Sequence, residues 1–182
     1  MLFRSLPIVK EASVRKVYPS QLFISIEERE PFALWQLNGE IFAIAADGRV
    51  MEGLDEEGLA SLPLVVGEGA AERVREYVAL VAQAPELAHQ VRAGIYVGQR
   101  RWTLKMTNGV EVLLPEREPE KAVVRLAQLV SEARVLEKDI ITLDLRQPGR
   151  VVVRLTENAV ALRDEMLKER AKAAAKEKGG LT

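Results

Sequence analysis

Three two-residue turn signals constrain the fold of this chain more than any other feature. Asn38-Gly39 separates residues 33–37 from 40–45, Asp47-Gly48 separates that second run from Arg49-Val50-Met51, and Asn108-Gly109 separates 101–107 from 110–114. Asn-Gly and Asp-Gly accept the positive φ that type I′ turns demand, and the twist of such turns matches paired antiparallel strands. Each signal therefore predicts a hairpin. Alternation supports the strands. Leu22, Ile24 and Ile26 fall on one face opposite Gln21, Ser25 and Glu27, and Trp102, Leu104 and Met106 oppose Arg101, Thr103 and Lys105. Burial with period two predicts antiparallel sheet with one packed face and one wet face.

Two helices interrupt the strands. Over residues 70–84, Val74, Tyr77, Val78 and Val81 repeat at helical spacing, and Pro85 marks the stop. Pro119 opens the second, since the N–H it lacks has no partner in a first turn, and Val123, Leu126, Ala127 and Val130 form its apolar stripe. Both stripes read as packing faces against the sheet. From Glu157 to Thr182 the chain becomes rich in Glu, Lys and Ala, with little apolar beyond Met166 and Leu167. Propensity there favours helix, and the polarity predicts a solvated, fraying helix or a disordered tail.

A chain of 182 residues suits one or two small domains. Its 26 basic and 27 acidic residues are mixed along the chain, which argues against a nucleic-acid surface, where cations must cluster on phosphates. Cysteine is absent, so disulfides and thiolate chemistry are excluded. No stretch approaches the ~18–20 apolar residues that cross a bilayer, and Met1-Leu-Phe-Arg-Ser-Leu-Pro lacks the apolar core of a signal peptide.

Catalytic chemistry needs a positioned acid, base, nucleophile or metal. His89, the single histidine, has no adjacent His or Cys and no ligand spacing. Glu27-Glu28, Asp55-Glu56-Glu57 and the Glu116/Glu118 pair fall at strand ends or in loops and read as solvated charge. Gly67-Glu68-Gly69 precedes a helix, yet lacks the Gly-Lys-Ser/Thr of a phosphate loop and the third glycine of a dinucleotide fingerprint. It reads as a strand-to-helix connection. Arg100-Arg101-Trp102 is one short basic-aromatic cluster in a neutral chain. No enzymatic constellation emerges, and neither cofactor nor metal is expected.

The final strand, 150–155, carries more interest. Arg146-Gln147-Pro148-Gly149 reads as a turn, so this strand pairs back on 140–145 and leaves its other side open. Val151, Val153 and Leu155 are expected inward, and Arg150, Val152 and Arg154 outward. Unpaired N–H and C=O groups on such an edge accept a partner strand, and the arginines would select acidic side chains. Taken alone, the residues favour an ordinary terminal strand guarded by its arginines and the tail. An open edge also admits a homodimer by strand pairing.

Two longer runs carry a resemblance. Ala12-Ser-Val-Arg-Lys-Val-Tyr-Pro-Ser-Gln-Leu-Phe-Ile-Ser-Ile-Glu-Glu-Arg-Glu-Pro-Phe-Ala-Leu-Trp35 places a charged strand, a Tyr-Pro turn, an alternating strand and a second break at Glu30-Pro31 in an unusual order. Ile141-Thr-Leu-Asp-Leu-Arg146 follows far downstream. In order and spacing, over about residues 6–155, the chain resembles the extracytoplasmic part of the FtsQ/DivIB family of bacterial cell-division proteins.

That resemblance implies an α+β fold: the C-terminal half of a POTRA domain at 1–31, then a mainly antiparallel β domain flanked by helices at 32–156. The tail at 157–182 lies outside it. It implies that the chain starts inside the POTRA region, without the family's membrane anchor and the domain's first strand and helix. The protein would then sit at the inner membrane, single-pass, with this region in the periplasm. The hairpin before residue 31 would have to pack on the β domain or be poorly ordered, with Val14 to Glu27 forming its core.

The function implied is a non-enzymatic division scaffold that receives FtsB, in complex with FtsL, by strand addition, linking early and late septation proteins. The contacts map onto Arg146, Gln147, Gly149, Arg150, Val151, Val152 and Val153, with a charge contact from Arg101 or its neighbour Arg100. A well-known member of the family has aromatic residues around its contact strand, where this chain has Gln147 and valines. A complete POTRA domain also serves recruitment to the division site, which half a domain does not carry over. Two rivals remain open at this point: a POTRA-type module of outer-membrane protein assembly or secretion, and a small enzyme with its site near His89 or Gly67–Gly69.

Overall fold

A computed structural model describes residues 8–51 and 59–179, with side chains as far as Arg170. Strands β1 (Val9–Val17) and β2 (Gln21–Glu28) pair as a separate antiparallel hairpin. The other strands, β3 (Ala33–Leu37), β4 (Glu40–Ile44), β5 (Val50–Met51), β6 (Leu64–Val66), β7 (Val91–Val97), β8 (Arg101–Met106), β9 (Glu111–Leu113), β10 (Ile140–Asp144) and β11 (Val152–Leu155), form one sheet. Its order is β11-β10-β9-β8-β7-β6-β3-β4-β5. Hairpins make the antiparallel pairs, and β3–β6, β6–β7 and β9–β10 are parallel.

Parallel neighbours need crossovers, and the helices supply two of them. Helices α1 (Val74–Val81) and α2 (Pro85–Ala88) lead from β6 to β7, and α3 (Pro119–Ala133) leads from β9 to β10. Val74, Tyr77 and Leu80 of α1 and Ala122, Val123 and Leu126 of α3 are buried in one cluster with Trp102, Leu104, Met106, Val112 and Leu143 of the sheet. This is the α+β architecture expected, and both apolar stripes are packing faces. Pro85 does more than stop a helix: it takes the first position of α2.

The centre of the core is aromatic. The Tyr77 and Tyr96 rings lie 5.1 and 4.7 Å from that of Trp102, whose Nε1 donates to Glu76 Oε1 at 3.4 Å. Gly94 on β7 makes room for this stack, because a Cβ there would stand 2.2 Å from the Tyr77 ring.

All three predicted hairpins form, but only one uses the expected turn geometry. Asn38 and Gly39 both have positive φ, 52° and 91°, as type I′ requires. At the other two sites only the glycine does. Asp47 Oδ1 instead accepts the Arg49 N–H at 3.2 Å, and Asn108 Oδ1 accepts that of Val110 at 3.1 Å. A short polar side chain thus closes each of these turns by bonding its own backbone two residues on. Asn108 Nδ2 also donates to Leu136 O at 2.7 Å, tying its hairpin to the 3-10 turn Val135–Glu137. A fourth hairpin, β7–β8, turns through Gly98 and Gln99, both at positive φ, and carries no Asn-Gly or Asp-Gly signal.

The first hairpin departs from expectation. Ala12 pairs with Ile26 and Val14 with Ile24, so the predicted apolar face exists, but it is not a core. Leu22 is 65% exposed, and Val14, Ile24 and Ile26 are exposed as well. Only Val9 and Ala12, toward the open end of the hairpin, are buried, and a two-stranded ribbon cannot bury the rest of a face by itself. Its anchorage is polar: Arg29, its side chain only 9% exposed, donates to Asp47 in the β4–β5 turn.

After β11, Thr156 caps α4 (Glu157–Gly179), its Oγ1 accepting the Ala159 N–H at 3.2 Å. Val160, Leu162, Met166 and Leu167 on α4 are exposed, as a solvated helix requires. No described helix is long and apolar enough to cross a membrane.

Candidate functional site

Strand β11 ends the large sheet. It runs antiparallel to β10, with Leu155 opposite Ile140, Arg154 opposite Thr142, Val153 opposite Leu143 and Val152 opposite Asp144, and an irregularity between Ile140 and Thr142. Among the described residues no strand pairs with its outer side. Every second residue of such a strand turns its N–H and C=O outward, so the edge is a template for another chain.

The connection into β11 is longer than the sequence suggested. Ladder pairing starts at Val152 rather than Arg150, because Gln147, Pro148 and Gly149 form a turn closed by Arg150 N–H to Gln147 O at 3.2 Å. Gln147, Gly149 and Arg150 are exposed. Val151 and Leu155 pack partly against the core, whereas Val152 is 47% and Val153 39% exposed. Val153 shares the face of Leu143, as alternation predicts, yet it stands at the margin of the sheet, beyond the helices' full cover.

The opposite sheet face is polar. A rung crosses from Thr103 through Leu113 and Asp144 to Val152. Beside it Lys105 Nζ bonds the Glu111 directly opposite at 2.9 Å. Arg101 lies three strands in from β11, on the face of Thr103, where its charge reaches Asp144. It is therefore no neighbour of Val152, and only a partner crossing this face would touch both.

Arg146 is held in place. Its Nε lies 2.9 Å from Asp144 Oδ1 and its Nη2 2.6 Å from Oδ2, while its backbone N–H donates to the same Oδ1 at 2.9 Å. The Arg146 hydrogen bonds lower the Asp144 carboxyl below the usual range, outweighing the upward push of burial. Asp144 was not singled out as a site residue by sequence reasoning, although Asp-x-Arg in extended chain puts both side chains on one side.

The other candidates take structural places. His89 is exposed at the end of α2. Gly67 N–H bonds Gln36 O and its carbonyl accepts Trp35 Nε1 at 2.8 Å, making the Gly67–Gly69 segment a braced connection from β6 to α1. Asp55, Glu56 and Glu57 lie outside the described residues. Among the described residues no three His, Asp or Glu side chains gather as metal ligands.

A helix-backed mixed sheet with an unpaired terminal strand and a charged open face defines an α+β domain that presents a sheet edge. The family described as "Cell division protein FtsQ/DivIB, C-terminal" matches residues 33–146. The cell division protein FtsQ of Bradyrhizobium diazoefficiens is 41% identical over 91% of this chain and 48% of its own length. That of Rhizobium radiobacter is 38% identical over 92% of this chain and 80% of its own. The chain belongs to the FtsQ/DivIB family. It spans about half the length of several of these relatives, 53% for the FtsQ of Agrobacterium fabrum. An extracytoplasmic-domain structure of the division protein DivIB from Geobacillus stearothermophilus overlaps more loosely, at 19% identity and TM-score 0.39 over 59% of this chain and 97% of that one.

Proposed function

We propose that this chain is the periplasmic part of a division scaffold whose β11 edge receives a strand from an FtsB-type partner bound to an FtsL-type protein, thereby linking early and late septation proteins. The observation that carries this reading is the outer side of β11, unpaired among the described residues, at the end of a nine-stranded sheet. Strand addition to a preformed edge orders only the incoming segment, which limits the entropy cost of binding. Gln147, Gly149 and Arg150 flank the point of entry, Val151, Val152 and Val153 supply the apolar contacts, and Arg146 offers a charge already steered by Asp144. Arg101 contributes only to a partner segment that crosses the open face.

In this reading the β1–β2 hairpin belongs to the C-terminal half of a POTRA domain at 1–31, the sheet domain occupies 32–156, and the tail takes no part. The whole protein is anchored at the inner membrane, and its role is binding rather than catalysis. The same edge could pair with itself, so self-association competes with partner capture.

Titration with the purified periplasmic segments of FtsB and FtsL from the same organism tests this, with Val152→Ala and Arg150→Glu alongside. Saturable binding weakened by both variants, each folded by circular dichroism, is the expected result. Undiminished binding by both moves the site away from β11, and a folded protein that binds neither segment refutes the scaffold role for this chain.

A further inference from the structure

A groove of about 520 Å³ lies between α3 and the β10–β11 connection. Its apolar lining includes Ala122 and Leu145, both buried, and Val151. Four cationic side chains, Arg117, Lys121, Arg125 and Arg150, line it against one carboxylate, Glu118. Lys121 already bonds Glu118, and Arg125 Nη1 donates to the neutral Gln128 Oε1 at 3.3 Å. The Arg117 and Arg150 guanidiniums have neither a hydrogen bond nor an ion pair among the described residues. The groove therefore holds an excess of positive charge over apolar surface, in a chain whose overall charge is nearly balanced.

We infer that this groove is a second docking site for the partner that adds to β11, and that it takes an extended acidic segment in which carboxylates alternate with aliphatic side chains. The inference rests on the proposed strand addition for its choice of partner. Continuity supports it: the connection that walls the groove runs directly into β11, so a chain leaving the Val152 end of the edge meets Arg150 first. Alternation fits both surfaces, since an extended segment turns successive side chains to opposite sides. Carboxylates would meet Arg117 and Arg150, and aliphatic groups would cover Pro148 and Val151. Charge pairs on such a rim act mainly on association rate and on the choice of partner. The site thus gives the strand interaction, which is largely main-chain, a sequence preference of its own.

The test uses the full chain and a short fluorescein-labelled peptide of alternating glutamate and leucine, with its lysine counterpart, at low salt. The expected result is saturable binding of the glutamate peptide, perturbing the side-chain Nε–H resonances of Arg117 and Arg150. Affinity should fall about tenfold in the Arg117→Glu/Arg125→Glu double variant. Equal binding of the two peptides, no binding by the folded wild type, or resonance changes confined to other regions would each overturn the inference. Should the double variant fail to fold, the wild-type resonance map decides alone. The edge is read separately, by the FtsB titration with Val152→Pro. FtsB binding lost in that variant but unchanged in the α3 double variant would keep the strand edge and remove the groove.

Discussion

The Arg146 guanidinium is forked onto the Asp144 carboxylate, with Nε 2.9 Å from Oδ1 and Nη2 2.6 Å from Oδ2. The arginine that family resemblance names as a partner contact is thus already engaged by the last residue of β10. A partner acid must share this pair rather than meet a free cation. The pair also stiffens the point where β10 gives way to the Gln147–Gly149 turn.

An acid limb in stability follows from the same pair. A carboxyl held below its ordinary value contributes stability above the unfolded value, and that contribution is lost as pH falls through the folded one. Below about pH 4 the wild type should lose stability more steeply than Asp144→Asn. Urea unfolding at pH 3 to 7 measures this. Parallel curves for the two proteins would mean that the pair contributes nothing to folding.

Gly94→Ala should destabilise the domain by about 1–3 kcal/mol, the usual cost of overpacking. The added methyl would enter the Tyr77 ring, which is also in contact with the Trp102 ring. Combining it with Tyr77→Leu should make the two losses less than additive, because the smaller side chain leaves room. Thermal unfolding of both single variants and the double variant tests the coupling.

Asp47→Ala removes three things at once: the acceptor for the Arg49 N–H, the ion pair with the Arg49 side chain and the counterion of Arg29. Arg29 Nε is buried without a hydrogen-bond partner already, so losing the carboxylate leaves the guanidinium poorly compensated. A loss of about 1–3 kcal/mol is expected. Hydrogen exchange should rise in β1–β2 ahead of the large sheet. Uniform loss of protection would show that Asp47 serves the sheet and not the hairpin's anchorage.

Thr156→Ala should cost α4 about 1 kcal/mol by removing its cap. Since the α4 side chains described are almost all exposed, helicity should fall with little change in the midpoint for the sheet. Circular dichroism at 222 nm, compared with tryptophan fluorescence, separates the two.

Local chemistry made much of the fold legible. Asn-Gly and Asp-Gly positioned the hairpins because few residues accept positive φ, even though Asp47 and Asn108 closed their turns by side-chain bonds instead. Helical spacing located α1 and α3, and the Pro-Gly turn located β10–β11. Gly98-Gln99 escaped notice because a three-residue loop needs no dipeptide signature, and Asp144 escaped because an ion pair between residues two apart at a strand end looks like ordinary surface charge.

Which residues alternate, where the chain must turn and which strand comes last are all legible from the residues, since these follow from backbone sterics and the period of side-chain directions. Which alternating faces are buried emerges from the packing alone. Leu104 and Ile24 sit in equally regular patterns, yet α1 and α3 cover the first and nothing described covers the second. Packing also decided that Arg150 joins Arg117 and Lys121 around one groove while Arg101 stands three strands from β11. Burial and clustering depend on which layer packs on which, and that is set by contacts between residues far apart in the chain.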